Sequence, residues 1–317
     1  MSPRRLLLLA LALAGPSLAQ QGTVFHADIS LVHVDAEVVG PNGRILTGLS
    51  KEDFRVFDQG KEQVIASFSA EEQPLDLILL FDVSGSMQLV VSKVALAAGQ
   101  GLRELRPGDR VSVMVFNTRT YVVADFTQDL DAVARTIQED VMGLRFGGGT
   151  LIQKAVDEAA LRFANERRTQ RRRAVLIITD NVGLRTRREA AVVRDFWEAD
   201  ALLSGLIIQN RSTQAMLTIG AVMGPETLLA RAGMRGIAEK TGGDAIRSND
   251  PGSAFQDMMH RIRSRYSLYY AMPPGKPGAS RAIRVELAAD TLKRFPKARV
   301  RARHGYQVPA RASTALQ

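Results

Sequence analysis

The chain contains no cysteine among its 317 residues. A disulfide framework, a thiolate metal site and thiol chemistry are therefore excluded, and stability has to come from a packed core. Long hydrophobic runs are also missing. The first one, Leu6 to Ala14, is nine residues long, well short of the roughly 20 that a spanning helix needs. Later apolar stretches are short and interrupted, so no transmembrane segment is expected in the mature chain. Histidine is scarce, with only His26, His33, His260 and His304. There is no Gly-x-Ser-x-Gly nucleophile elbow, and no Gly-Lys-Ser/Thr follows the glycine run at 147–149. Serine-nucleophile catalysis and a phosphate-cradling P-loop both lose their sequence support. No internal repeat is visible.

The N-terminus carries Arg4 and Arg5, then the apolar run, then Gly15-Pro16 and Ser17-Leu18-Ala19. Charged, apolar and small residues in that order form a secretory signal, with cleavage expected after Ala19. The protein is expected to be exported, to the periplasm or outside the cell. The formal charge is +9, carried mostly by arginine. That balance suits an acidic protein or an anionic envelope surface. It also suits plain solvated faces in an arginine-rich chain. Nucleic acid is not expected as a partner, because the chain is exported and has no recognised reader motif.

Hydrophobic periodicity divides the mature chain into three parts. Residues 20–74 form an N-terminal β segment. In it Val32, Val34, Ala36 and Val38 alternate with His33, Asp35 and Glu37, which places the first set in a core and the second in water. Gly40-Pro41-Asn42-Gly43 and Asp58-Gln59-Gly60-Lys61 mark turns. From Leu75 the pattern changes. Leu75 to Phe81 is an almost unbroken apolar run, as in a strand buried on both faces. Strands then alternate with helices to residue 265, including helices at Thr150–Glu166 and Leu228–Lys240. The expected class is α/β: a doubly wound, mostly parallel sheet with helices on both faces. Residues 266–306 return to strands, and 307–317 are expected to be a disordered tail. Neither β segment holds enough apolar residues for a core alone. The two are therefore expected to pack together as one small β unit, with 75–265 inserted between them.

Ligands of open α/β sheets gather beyond the carboxyl ends of the strands. The first buried strand ends there in Asp82-Val83-Ser84-Gly85-Ser86. A carboxylate and two hydroxyls at alternate positions can direct three hard oxygens into one space, which suits Mg²⁺. Gly147-Gly148-Gly149 lets a loop approach closely and deliver the Thr150 hydroxyl, and a further strand ends at Asp180. Taken alone, Asp-x-Ser-Gly-Ser is also compatible with an ordinary turn or helix cap.

Asp82, Ser84, Ser86, Thr150 and Asp180, in this order and spacing, resemble the metal-ion-dependent adhesion site of the von Willebrand factor type A domain. The resemblance covers roughly residues 75–265. It implies a site for Mg²⁺ (or Mn²⁺), with Ser84, Ser86 and Thr150 on the ion directly and Asp82 and Asp180 acting largely through water. That family usually has glycine after the last aspartate, where this chain has Asn181. The flanks are similar to those of exported bacterial proteins related to this domain, on the strength of Leu46 to Phe54, Val56 to Lys61, Tyr269-Tyr270 and Arg303-His304-Gly305-Tyr306. The function implied is metal-dependent protein binding, in adhesion or assembly. The ion would be completed by an acidic residue of a protein partner, and no catalysis is expected. A structural envelope protein with a vestigial metal site, or a metal-assisted hydrolase, are the alternatives. Arg185, Arg187 and Arg188 follow Asp180 closely and are read either as a cationic rim that favours an acidic partner or as a solvated helix start. Arg167, Arg168, Arg171, Arg172 and Arg173, at the far end of that strand, are expected to form a solvated corner.

Overall fold

A computed structural model describes residues 30–70, 73–164, 171–184, 188–208, 229–231 and 233–309. Residues 1–29, where a signal peptide is expected, Arg167, Arg168, Arg185, Arg187 and residues 310–317 lie outside the described residues.

The chain enters through β1 (Leu31–Val39), whose Val32, Val34, Ala36 and Val38 are all buried as the alternation requires. β2 (Phe54–Asp58), β3 (Lys61–Gln63) and β4 (Ile65–Ser69) follow. Gln59 and Gly60 turn the β2–β3 hairpin with positive φ. β5 (Leu75–Asp82) is buried at every position. It is flanked by β8 (Arg172–Thr179) and by β6 (Arg110–Phe116), both parallel to it. With β7 (Thr120–Thr127), β10 (Ala201–Ile208) and β12 (Ala245–Ser248), these strands form a six-stranded sheet in the order β12-β10-β8-β5-β6-β7. Only its edge strand β7 is antiparallel.

Because side chains alternate along a strand, β5 serves two cores. Leu75, Leu77, Leu79 and Phe81 pack with α1 (Gln88–Leu102) and with Phe255, Met258, Met259 and Ile262 of a later helix. Ile78 and Leu80 pack on the other face with α3 (Ile152–Ala164) and α4 (Glu189–Glu198). α2 (Leu130–Arg135), before α3, runs into a π-helical turn at Thr136–Val141. The expected helix at 228–240 is corrected. Leu229–Arg231 is a short strand, β11, paired with β9 (Val182–Leu184). Gly233 then adopts φ 73, outside the right-handed helical region, and the helix α5 runs only from Met234 to Thr241. α6 (Pro251–Arg263) packs against α1, where Gly101 leaves room: a Cβ there would lie 2.4 Å from Phe255 Cε1.

The C-terminal segment contributes β13 (Tyr266–Ala271), β14 (Ser280–Leu287), the short helix α7 (Ala289–Arg294), β15 (Arg299–Ala302) and β16 (Gly305–Gln307). Its strands interleave with those of the N-terminal segment. One sheet has the order β15-β1-β13-β4 and another β16-β14-β2-β3. Val34, Val38, Phe54 and Val56 from the first segment share a core with Leu268, Tyr270, Ile283, Leu287 and Tyr306 from the second. Buried Asp58 ties them further, accepting hydrogen bonds from Tyr270 Oη (2.9 Å), Tyr306 Oη (3.0 Å) and Arg281 Nε (2.8 Å). The small β unit is thus built from both flanks of the α/β domain. The tail begins later than expected, since Gln307 is in β16 and the Val308 backbone bonds to Gly278 and Ala279.

Two charge placements are corrected. Glu37 does not face water: its side chain is fully buried between Arg265 and Arg301, with Arg261 at 3.4 Å. Arg172 and Arg173 are not a solvated corner either, being 1% and 6% exposed. The second face of β1 lies against the α/β domain, so its alternate polar residues meet that domain's arginines.

Candidate functional site

Every parallel strand of the large sheet carries its backbone in the same direction, so the loops after β5 and β8 open on one edge. Asp82 closes β5 and is completely buried. Its Oδ1 accepts from the Ser84 backbone N–H at 3.0 Å and its Oδ2 from Thr179 Oγ1 at 2.7 Å. The first bond is an Asx-type turn that bends the chain off the strand and sends Ser84 and Ser86 back over the sheet edge. The Ser84 and Ser86 hydroxyls lie 3.4 Å apart, and Ser86 Oγ donates to Asp180 Oδ2 at 2.7 Å. Asp180 repeats the turn after β8, with Oδ1 accepting from the Val182 N–H at 3.0 Å.

Asn181 makes that second turn possible. Its φ is 62°, in the left-handed region that asparagine enters more readily than most side chains. Its backbone N–H donates to Thr179 Oγ1, and its side-chain Oδ1 accepts from the Met234 N–H at 3.4 Å. The departure from glycine therefore leaves the backbone path intact.

The glycine loop closes the third side. The Gly147 N–H donates to the Val83 carbonyl at 3.0 Å, and Asn117 Nδ2 reaches the Gly147 carbonyl. Thr150, only 7% exposed, follows directly. Its carbonyl would lie 2.6 Å from a Cβ placed on Gly183, so only glycine lets β9 pass that close. The Thr150 loop is thereby gripped between the Asp82 turn and the strand that follows Asp180.

The electrostatics follow from this packing. Burial, reinforced by the nearby charge of Asp180, pushes the Asp82 carboxyl up to about 7, against the pull of its bonds from Ser84 and Thr179. The described contacts of Asp82 are hydroxyls, a backbone N–H and another carboxylate. Asp82 and Asp180 with the hydroxyls of Ser84, Ser86 and Thr179 bring two carboxylates and three hydroxyls together, a hard-oxygen donor set. Among the described residues no three His, Cys, Asp or Glu side chains gather into a chelating cluster. The recess differs from such a cluster because its extra donors are hydroxyls.

Sequence reasoning missed Thr179, whose hydroxyl serves Asp82 and the Asn181 backbone together; its only signal was a polar residue ending an otherwise apolar strand. Of the rim arginines, Arg188 is described and stands exposed at the N-cap of α4. His33, His260 and His304 lie away from the recess. His33 contacts Asp35 and Asp200, and His260 contacts Glu104.

Comparison with known proteins matches part of the chain to one domain family. Residues 77–183 match the von Willebrand factor type A domain family. No curated protein sequence matches. Among solved structures, the chain is similar to an aerotolerance-related membrane protein from Bacteroides fragilis, at 16% identity over 59% of this chain and 98% of that one, with a TM-score of 0.45. It is also similar to the conserved hypothetical protein BatB from Bacteroides thetaiotaomicron, at 19% identity over 59% and 97%, with a TM-score of 0.46. A von Willebrand factor type A protein from Catenulispora acidiphila covers 90% of this chain and 74% of its own, at 11% identity and a TM-score of 0.43. Asp82 and Asp180 both lie inside the stretch that is similar to the von Willebrand factor type A domain family, which covers about a third of this chain.

Proposed function

We propose that the protein is an exported module that binds a protein partner through a divalent cation, Mg²⁺ or Mn²⁺, held by Asp82, Ser84, Ser86, Thr150 and Asp180. The observation that carries this reading is the Ser84–Ser86–Asp180 hydroxyl–carboxylate chain laid over a buried Asp82 that faces no described basic group. A cation fits there because it replaces the missing counter-charge and takes oxygen ligands. When bound, it would offer an open coordination position to a carboxylate. The chain's own residues do the rest. Thr179 orients Asp82, Asn181 sets the direction of Asp180, and the 147–149 glycines bring Thr150 in.

The partner is accordingly a protein presenting an acidic side chain, which Arg185, Arg187 and Arg188 would steer toward the recess. The alternatives of a vestigial site and of metal-assisted hydrolysis separate from this reading experimentally. Calorimetry on the whole chain should give one Mg²⁺ or Mn²⁺ per molecule, lost in Asp82→Ala. Equal affinity in both proteins would remove the assignment. Pull-down from envelope extract should then recover a partner that is released by chelator. Replacing the three arginines together should slow association at low salt and leave metal binding unchanged. An unaltered rate with unaltered salt dependence would remove the rim from the proposal.

A further inference from the structure

A second concavity lies away from the candidate metal recess, where the α/β domain meets the β unit. It is a cleft of about 760 Å³. It is lined by α5 and the 243–245 stretch that leads into β12, the edge strand of the six-stranded sheet, and by the turn at 297 with β15, the edge strand of the sheet containing β1. Small residues line its interior, among them Gly40, Gly43, Gly243, Ala245 and Ala302. Among the described residues the apolar side chains that line it are no larger than those of Val39, Pro41 and Val300. The large side chains around it are cationic: Arg235 on α5, Lys297 in the turn before β15, and Arg299 and Arg301 on β15.

The pairing of these cations is uneven. Arg301 is held by Glu37 at 3.2 Å and by Asp244 at 2.9 Å, and Asp244 is shared with Arg261 at 3.5 Å. Elsewhere in the β unit Arg281 sits on Asp58, Arg294 on Asp53 and Arg303 on Asp200. Arg235, Lys297 and Arg299 make no ion pair with any described residue, and the one further acid on the walls is Glu239. Like charges around a concavity raise the local potential and draw in counter-ions. They also repel one another, a cost that a bound anion would remove. Lys297 stands in its turn with φ 65°, in the left-handed region.

We infer that this cleft is a binding site for a small multivalent anion bearing phosphate or carboxylate groups, gripped between Arg235 on one wall and Lys297 and Arg299 on the other. The site is independent of the metal recess and of the function proposed for it. Its ligand would bridge two parts of the fold, so occupancy should also stiffen the joint between them.

The test uses the full chain in metal-free buffer with two probes, pyrophosphate and citrate, and acetate as a monovalent control. Calorimetry should show saturable binding of at least one probe with unit stoichiometry, weakening as sodium chloride is raised. Acetate should bind far more weakly. Whichever probe binds more tightly identifies phosphate or carboxylate as the natural chemistry. The Lys297→Glu/Arg299→Glu double variant should bind at least tenfold more weakly, and so should Arg235→Glu, made on the opposite wall in case the double variant fails to fold. Asp82→Ala should bind as the wild type does, which keeps this outcome separate from the metal reading. Absence of saturable binding by both probes, or unchanged affinity in folded Arg235→Glu, would overturn the inference.

Discussion

The two ends of the central sheet both bury charge, and they handle it in opposite ways. At the edge where β5 and β8 finish, Asp82 is fully buried among hydroxyls and a second carboxylate. At the edge where they start, buried charges come in matched sets. Arg172 donates to Asp35 at 2.9 Å, to Ser267 at 3.2 Å and to the Arg263 and Arg265 carbonyls. Asp76 is bracketed by Arg110 and Arg171, and Asp109 faces Arg263 at 3.1 Å. Complete pairing is what a structural joint needs, because an unmatched buried ion costs several kcal/mol. The incomplete pairing at Asp82 is tolerable only if the carboxylate stays partly protonated or an external cation arrives. The edge where the strands start closes the protein upon itself, while the edge where they finish leaves a buried carboxylate beside a second one.

The largest expected effect tests the closed end. Arg172→Met keeps the length of the side chain but takes the guanidinium from Asp35 and frees the Arg263 and Arg265 carbonyls it holds, so it should destabilise the protein by about 3–5 kcal/mol, read from the urea midpoint. A loss below about 1 kcal/mol would mean that the joint does not depend on that pair.

Next comes the imidazole that bridges the joint. His33 Nε2 lies 3.2 Å from Asp35 and Nδ1 lies 3.7 Å from Asp200, with Tyr269 stacked on the ring at 4.8 Å. Burial alone would lower its pKa, but the charges of Asp35 and Asp200 overcome that and hold it at about 9. A group raised in the folded state contributes fully below its unfolded value of 6.5 and loses that contribution as pH climbs through 9. Wild type should therefore lose up to about 3 kcal/mol between pH 6.5 and 9, and His33→Gln should lack this component. Parallel pH profiles for the two proteins would contradict it.

A smaller effect belongs to the open end. Asn181→Val puts a β-branched residue at φ 62° and should cost about 1–2 kcal/mol, with weakened metal affinity as Asp180 loses its orientation. Asn181→Gly should retain affinity.

The smallest effect sharpens the contrast most. In metal-free protein Asp82→Asn should change stability by less than about 1 kcal/mol. The amide can still accept from the Ser84 N–H, and its NH₂ can donate to Thr179 Oγ1 in place of the bond Asp82 accepts there. Removing a charge at this end should thus leave the fold nearly unaffected and abolish cation binding, the reverse of Arg172→Met. A large destabilisation would show Asp82 to be structural.

Much of this was legible in the residues. The buried run ending at Asp82, the turn at Asn181, the shared β unit and the Tyr270 and Tyr306 elements all follow from periodicity, turn chemistry and motif. The arginines at 171–173 did not. A run of charges reads as solvated because sequence patterns record composition and not what lies opposite. Glu37 misled for the same reason, since strict alternation on β1 predicts a wet face only when nothing packs there.

Sequence alone determined the α/β class and the buried run that ends at Asp82, because strand burial and turn formation are local properties with a period of two or a few residues. Tertiary structure alone decided that Thr179 serves Asp82, that Arg172 reaches Asp35 across 137 positions of chain, and that α5 and β15 leave a cationic cleft between them. Those outcomes depend on which surfaces meet, and the energy of a buried charge is set by its neighbours in space.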